Sequence, residues 1–292
     1  MSVEQQEAGG FGTKAPSMNG ATKTLPMNGA GHHDIETNLR EALRTAGVGP
    51  IELIADGQVH RFDFPSDKCG RKSGWYVLYD TGVAVIGSWK DDITHQVIAP
   101  NGNGNGNGRV SKATREKIEE AKRKAAEERK RGQAEVADFA RKLWETAQPV
   151  RDQREHPYLV QKNIQPHGVR MRNGNLCIPM RDVQSQKIVN LQVIRRNGAK
   201  RFLPGGQAAN CYFPINDQGA AHAVQLYIAE GFATAATVHE ATRIPTTTAF
   251  NAGNLLAVAR ALHERYPTAQ IVICADDDRE TKGNPGLTKG TI

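Results

Sequence analysis

Leu226-Tyr227-Ile228-Ala229-Glu230-Gly231 and Ile271-Val272-Ile273-Cys274-Ala275-Asp276-Asp277-Asp278 are two apolar, strand-like runs that each stop abruptly in carboxylate. Between them lie a helix-like stretch, Phe232 to Thr242, a strand-like stretch, Thr246 to Phe250, and a second helix-like stretch, Asn254 to Arg265. The order βαβαβ predicts a parallel sheet, because a strand followed by a helix can rejoin the sheet only in the same direction. Right-handed crossovers bring the carboxyl ends of such strands to one edge. Glu230 and Asp276 are therefore expected to converge although 46 positions (276 − 230) separate them. Carboxylates converging on one edge suggest a divalent-metal site.

The chain has 292 residues, of which 38% are hydrophobic, enough for one large domain or two smaller ones with real cores. A mean hydropathy of −0.55 implies that part of it stays unpacked. No apolar run approaches the roughly 20 residues needed to span a bilayer, and the first residues lack the apolar stretch of a signal peptide. A cytoplasmic location without membrane contact is expected. Cys69, Cys177, Cys211 and Cys274 form no Cys-x-x-Cys pair, so neither a zinc site nor a disulfide framework is indicated. The net charge of +7 is uneven. Residues 170–201 hold eight Lys or Arg, among them Arg181, Arg195, Lys200 and Arg201, against Asp182 alone. A surplus of that density attracts phosphate and makes binding salt-dependent, unless it is merely a solvated surface.

Composition divides the chain. Residues 1–31 are rich in Gly, Asn, Ser and Thr without periodicity and are expected to form a disordered tail. A β-rich module over 32–100 begins with an amphipathic helix, Ile35 to Ala46. Its strand candidates are Ile51 to Ala55, Val59 to Phe64, Gly74 to Tyr79 and Val83 to Trp89. Trp75, Tyr76, Tyr79 and Trp89 alternate there with Arg61, Lys68, Arg71, Lys72 and Lys90. Such a surface stacks and clamps single-stranded nucleic acid if the aromatics are exposed, and is simply the module's core if they are not. Four Asn-Gly repeats at 101–108 read as a flexible linker and domain boundary. A charged helix over 109–148 follows, with an apolar stripe of Val136, Phe139, Ala140, Leu143 and Trp144 in its second half. Its first half reads as a solvated spacer or, failing that, a supplementary phosphate contact. Residues 149–220 then return to strands at Leu176 to Met180, Ile188 to Ile194, Lys200 to Leu203 and Cys211 to Ile215, and 221–292 carry the βαβαβ unit.

Several carboxylates around a divalent ion suit phosphoryl transfer, since the ion offsets charge developing on phosphorus. Asp276 and Asp278, two apart beyond a strand, can face one ion while Asp277 points elsewhere. Glu230 can be a further ligand or a general base. Equally, Glu230 can cap the helix that follows, and the aspartates can form a turn.

Ile228-Ala229-Glu230-Gly231 with Ala275-Asp276-Asp277-Asp278-Arg279 resembles the Toprim signature, a Glu-Gly after one strand and an Asp-x-Asp after another. Upstream, Leu176 to Asp182, Lys187 to Gln192 and Lys200 to Leu203 are similar to the stretch that precedes Toprim in bacterial DnaG-type primases. Ala249 to Leu255, Asp278 to Gly286 and His156-Pro157-Tyr158-Leu159 resemble Toprim primases of conjugative plasmids and phages, as do Asp56 to Phe62 and Ser73 to Tyr76. The resemblance covers roughly residues 35–292. It implies an α/β fold: a Toprim-like parallel sheet with flanking helices, preceded by a mixed α+β segment and the small β-rich module. It implies Glu230, Asp276 and Asp278 as catalytic, metal-associated residues with Mg²⁺ or Mn²⁺. Arg181, Arg195, Lys200 and Arg201 would bind nucleic acid or nucleotide. The implied activity is synthesis of short RNA primers on single-stranded DNA from ribonucleoside triphosphates, with a replicative helicase as a possible partner. A Toprim nuclease and an inactive DNA-binding remnant are the alternatives. The zinc module that opens DnaG-type primases has no counterpart in these residues. Ile292 lies 14 residues past Asp278 (292 − 278), so the Toprim domain is expected to lack its closing helix and strand.

Overall fold

A computed structural model describes residues 35–68, 70–98 and 111–275. The tail expected at 1–31, the linker at 101–108, and Asp276 and Asp278 lie outside the described residues. The chain divides into two compact units, 1–127 and 128–292. The division falls within a helix and not at the Asn-Gly run.

In the first unit, α1 (Ile35–Thr45) buries Ile35, Leu39, Ala42 and Leu43. Gly47, with φ of +79°, ends it in the left-handed conformation, and the Val48 amide closes back on the Leu43 carbonyl at 2.9 Å. The antiparallel strands β1 (His60–Phe62), β2 (Gly74–Tyr79), β3 (Val83–Ser88) and β4 (Ile93–Ile98) pair in chain order. Every residue of β2 and β3 is buried, so both faces of this sheet are covered. Tyr76, Leu78, Ala84 and Ile86 pack with α1 on one face. On the other, Trp75, Val77, Tyr79, Val83 and Val85 pack against Ile118, Ala121 and Ala125 of α2 (Lys112–Thr146). The first half of α2 is therefore a packed element and not a solvated spacer. The ion pair Arg123–Glu127 supports its outer face, while Lys124, paired with Glu120, donates to the Gly57 carbonyl at 2.8 Å. Trp75, Tyr76 and Tyr79 are core, not a stacking platform; Trp89 is half-buried and carries the Arg61 guanidinium 5.0 Å above its ring. Ile51 to Ala55 forms no strand. The Tyr76 hydroxyl holds that segment instead, accepting from the Ile54 amide at 2.9 Å and donating to the Glu52 carbonyl at 3.1 Å. Strand β4 has no counterpart among the strands expected from sequence.

In the second unit, residues 128–146 of α2 bury Ala140 against Cys177, Ile188 and Leu191, with Leu143 and Trp144 partly buried beside them. Phe139, expected in that stripe, is 53% exposed. Nine strands then form one sheet: β5 (Gln148–Pro149), β6 (Arg170–Arg172), β7 (Asn175–Asp182), β8 (Ile188–Ile194), β9 (Lys200–Phe202), β10 (Cys211–Ile215), β11 (Gln225–Ala229), β12 (Thr246–Thr248) and β13 (Gln270–Cys274). Their order is β13-β11-β12-β10-β7-β6-β5, with β8 and then β9 added beside β7. The part from β5 to β10 is antiparallel and includes a short helix, α3 (Pro157–Lys162), capped by His156. The expected parallel part is β13-β11-β12.

The connections α4 (Phe232–Thr242) and α5 (Leu255–Arg265) lie on opposite faces. The first crossover steps one strand from β11 to β12, and the second steps back across β11 to β13. With both right-handed, the reversal of direction requires opposite faces. Phe232, Ala235 and Ala236 of α4 join Phe213, Ala229 and Met180 in one core. Leu255, Val258 and Leu262 of α5 join Ile228, Tyr212 and Val183 in the other.

Candidate active site

The register across the sheet decides which residues share its carboxyl edge. Ala229 pairs with Cys274 on one side and with Thr248 on the other, and Thr248 pairs with Phe213. One residue further along β11, β12 and β13, and one back along antiparallel β10, the row reads Ala275, Glu230, Ala249 and Tyr212. Tyr212 in turn pairs with Arg181 on β7. Glu230 and Arg181 thus stand on one row, three strand spacings apart, roughly 14 Å between backbones.

Glu230 is half-buried, and its carbonyl accepts from the Thr248 hydroxyl at 2.9 Å, which fixes the backbone where β11 ends. The N-cap position of α4 belongs to Gly231, so Glu230 stands one residue outside the helix and is not its cap. Asp276 and Asp278 follow Cys274 by two and four residues (276 − 274; 278 − 274), outside the described residues. Among the described residues no group of three His, Cys, Asp or Glu side chains is arranged to hold a metal ion.

The basic residues separate into two places. Arg181, half-buried, donates to the Gln186 carbonyl at 3.1 Å across its own turn. Arg195, Lys200 and Arg201 come together on the β8–β9 hairpin, where Ile194 pairs with Lys200 and Val193 with Arg201. Because Ile194 also pairs with Leu176, this hairpin lies at the far end of β7 from Arg181. All three are exposed, and the Lys200 ammonium sits 5.5 Å over the buried Tyr158 ring. Arg170 serves the fold instead, donating to the Trp144 carbonyl at 2.9 Å and stacking on that ring at 4.5 Å.

Between the two carboxyl-edge groups lies a polar network that composition and spacing did not reveal. Asp182, next to Arg181, accepts from the Ser185 amide and hydroxyl at 2.8 Å each, and from Gln207 Nε2 at 2.9 Å. Burial works against its charge, but these donors outweigh burial and hold the carboxyl below the ordinary carboxylate range. Asn254, only 3% exposed, donates through Nδ2 to the Ala208 carbonyl at 2.8 Å and the Ala249 carbonyl at 2.9 Å; its Oδ1 accepts from the Asn210 amide at 3.0 Å. Arg265 of α5 reaches the Tyr212 hydroxyl at 3.1 Å and the Val183 carbonyl at 2.9 Å. Buried Cys211, paired with Asp182 across the strands, has its thiol pushed up to about 12 by burial and by the Asp182 charge. In the run Asn251-Ala252-Gly253-Asn254, an Asn at the start of the expected helix reads as a cap, whereas in the structure Asn254 makes no side-chain cap bond and turns its amide to the loop and to Ala249.

Residues 225–289 match the family model of the Toprim domain. The chain carries a Toprim domain. It is 34% identical over 267 residues to DNA primase TraC of Escherichia coli, an alignment that takes in 87% of this chain and 25% of that protein. A second DNA primase TraC of Escherichia coli is 33% identical over 267 residues, 85% of this chain and 18% of the relative. The chain thus spans a quarter or less of the length of either. The kinship with Toprim primases of the plasmid type that the motifs imply is borne out by these relatives. A solved structure of bacteriophage T7 lagging-strand DNA polymerase interacting with primase domains on an RNA/DNA hybrid overlaps 45% of this chain and 64% of that one. Its TM-score of 0.30 and 13% identity are too slight to carry an argument.

Proposed function

We propose that this Toprim chain is the polymerising part of a DNA primase, joining ribonucleoside triphosphates into short primers on single-stranded DNA in the cytoplasm. The observation that carries the reading is the row shared by Glu230 and Arg181 on the carboxyl edge of the Toprim sheet, in a chain related to DNA primase TraC. Nothing in the relatives favours a nuclease. No helix among the described residues is long and apolar enough to cross a membrane. A replicative helicase is the partner expected to expose the template.

Glu230, Asp276 and Asp278 would hold a divalent cation. A set of carboxylate oxygens suits Mg²⁺ or Mn²⁺ better than zinc, and the half-buried Glu230 keeps its backbone fixed by Thr248. Such an ion, when bound, offsets negative charge on the triphosphate. Glu230 takes the proton of the attacking ribose hydroxyl as that oxygen bonds to the α-phosphorus and pyrophosphate leaves. Arg181 neutralises charge on the phosphates from the other side of the row. Arg195, Lys200 and Arg201 hold the template strand by its phosphates.

The test is to incubate the chain with single-stranded template, labelled ribonucleotides and Mg²⁺ or Mn²⁺, beside Glu230→Gln and Asp276→Asn. Metal-dependent oligoribonucleotides from the unaltered chain alone are expected. Cut template would replace this reading with the nuclease, and DNA retention without products in any variant would replace it with a DNA-binding remnant.

A further inference from the structure

We propose that Asn254 is a positioning residue, which acts through the loop 207–210 to set Arg181 at its distance from Glu230. The inference rests on the proposed site and gives a role to a side chain that touches neither metal nor substrate.

The connection can be followed bond by bond. The Asn254 side chain takes the Ala249 carbonyl, the row neighbour of Glu230, at 2.9 Å. The same Nδ2 takes the Ala208 carbonyl at 2.8 Å, and Oδ1 takes the Asn210 amide at 3.0 Å. The Asn210 carbonyl then accepts from the Val183 amide at 2.9 Å, two residues from Arg181. A second staple parallels it: Gln207 Nε2 joins the Ala209 carbonyl at 3.0 Å to Asp182 at 2.9 Å. Regular strand pairing does only part of this work. β10 pairs with β7 only at Cys211–Asp182 and Tyr212–Arg181, so two residue pairs join the Toprim strands to the strand bearing Arg181. Core packing of Ile178 and Met180 against Phe213 holds the body of β7, and the loop bonds extend the short junction beyond Arg181 at its end. A buried amide with one donor group shared between two carbonyls and an acceptor on the same loop has little freedom to do anything else.

Asn254 should therefore influence nucleotide binding chiefly through Arg181. This predicts coupling, which a double-mutant cycle reads directly. The probe is ATP with Mn²⁺, titrated calorimetrically into the full 292-residue chain, with melting temperature recorded for each variant. Asn254→Ala is expected to weaken binding about fivefold when Arg181 is present and less than about twofold in an Arg181→Ala background. Its effect on the melting temperature should be the same in both backgrounds. A residue that merely stabilises the fold would weaken binding equally with or without Arg181. Equal losses would overturn the proposal, as would a loss that tracks the unfolded fraction. Should Asn254→Ala not fold, Gln207→Ala removes the parallel staple and must show the same coupling. A folded, unaltered chain that binds no Mn²⁺-ATP would overturn the underlying site reading, and the positioning role with it.

Discussion

Replacing Gly87 by Ala tests whether the aromatic residues of the first unit are core. Gly87 lies on β3 directly opposite Trp75 on β2. A methyl group there would lie 2.6 Å from two atoms of the Trp75 ring and 2.6 Å from the Ile93 carbonyl oxygen. Those separations are about an ångström inside ordinary contact, so either the indole or β4 must move. The indole is 3% exposed and packed among Val77, Val85 and Ala121, which leaves it no room to swing outward without opening that core. Overpacking of this kind costs about 1–3 kcal/mol. For a unit of this size that lowers the melting temperature by roughly 4–8 °C per kcal/mol. Urea unfolding gives the free energy, and hydrogen exchange of peptides spanning 74–88 assigns the loss to this sheet. Single-stranded DNA retained per folded molecule should not change, because a buried ring offers no face to a base. Unchanged stability in Gly87→Ala together with altered DNA retention would refute the reasoning, since it would mean that Trp75 stands outside the core and against the nucleic acid.

Three further outcomes follow from the second unit. Asp182 has its carboxyl held below its unfolded value, so its contribution to stability is full above about pH 4 and is lost as pH falls through the folded value; urea unfolding at graded pH should show a shallower acid loss in Asp182→Asn than in the unaltered chain. Cys211, at about 12, stays a thiol at pH 8, so mass-spectrometric mapping after brief alkylation should find half-buried Cys274 labelled before Cys211, which is labelled only on unfolding. Lys200→Ala and Arg201→Ala should each weaken single-stranded DNA binding at low salt and reduce the steepness of its salt dependence by roughly 0.7 in log–log slope, with melting temperature little changed.

Much of the fold is written in local patterns. Gly74–Tyr79, Ile188–Ile194, Cys211–Ile215 and Phe232–Thr242 have the bounds that apolar runs and flanking turns predict. What was not legible had physical reasons. Ile51 to Ala55 has strand composition, yet its backbone groups are taken by the hydroxyl of Tyr76, a residue more than twenty positions away. Ile93–Ile98 was hidden by Thr94-His95-Gln96 in its middle, because burial of His95 depends on the sheet and not on its neighbours in sequence. The hairpin between β6 and β7 carried a readable signal in Asn173-Gly174, whose φ values of +50° and +71° are those an Asn-Gly turn allows.

The candidate site shows where such patterns end. Glu230 was legible because a strand must stop before a carboxylate that terminates an apolar run, and topology then fixes which edge it occupies. The basic residues were not separable in the same way, since charge counting treats residues 170–201 as one surplus. Their division depends on antiparallel register, and on an irregularity between Met180 and Arg181 that no periodicity encodes. Register places Arg181 on the row of Glu230 and puts the Arg195, Lys200 and Arg201 hairpin five positions away along β7, beside Leu176, roughly 16 Å distant at the rise of a strand. One triphosphate at Glu230 and Arg181 cannot also engage a hairpin that far along the sheet. Under the proposed function the two places would meet separate demands on phosphate: a reacting one at the carboxyl edge, where position matters most, and a strand-holding one at the hairpin, where charge suffices. That division would account for a carboxyl-edge Arg181 whose neighbours Asp182 and Val183 are bonded to the loop 207–210, beside a hairpin that leaves Arg195, Lys200 and Arg201 exposed.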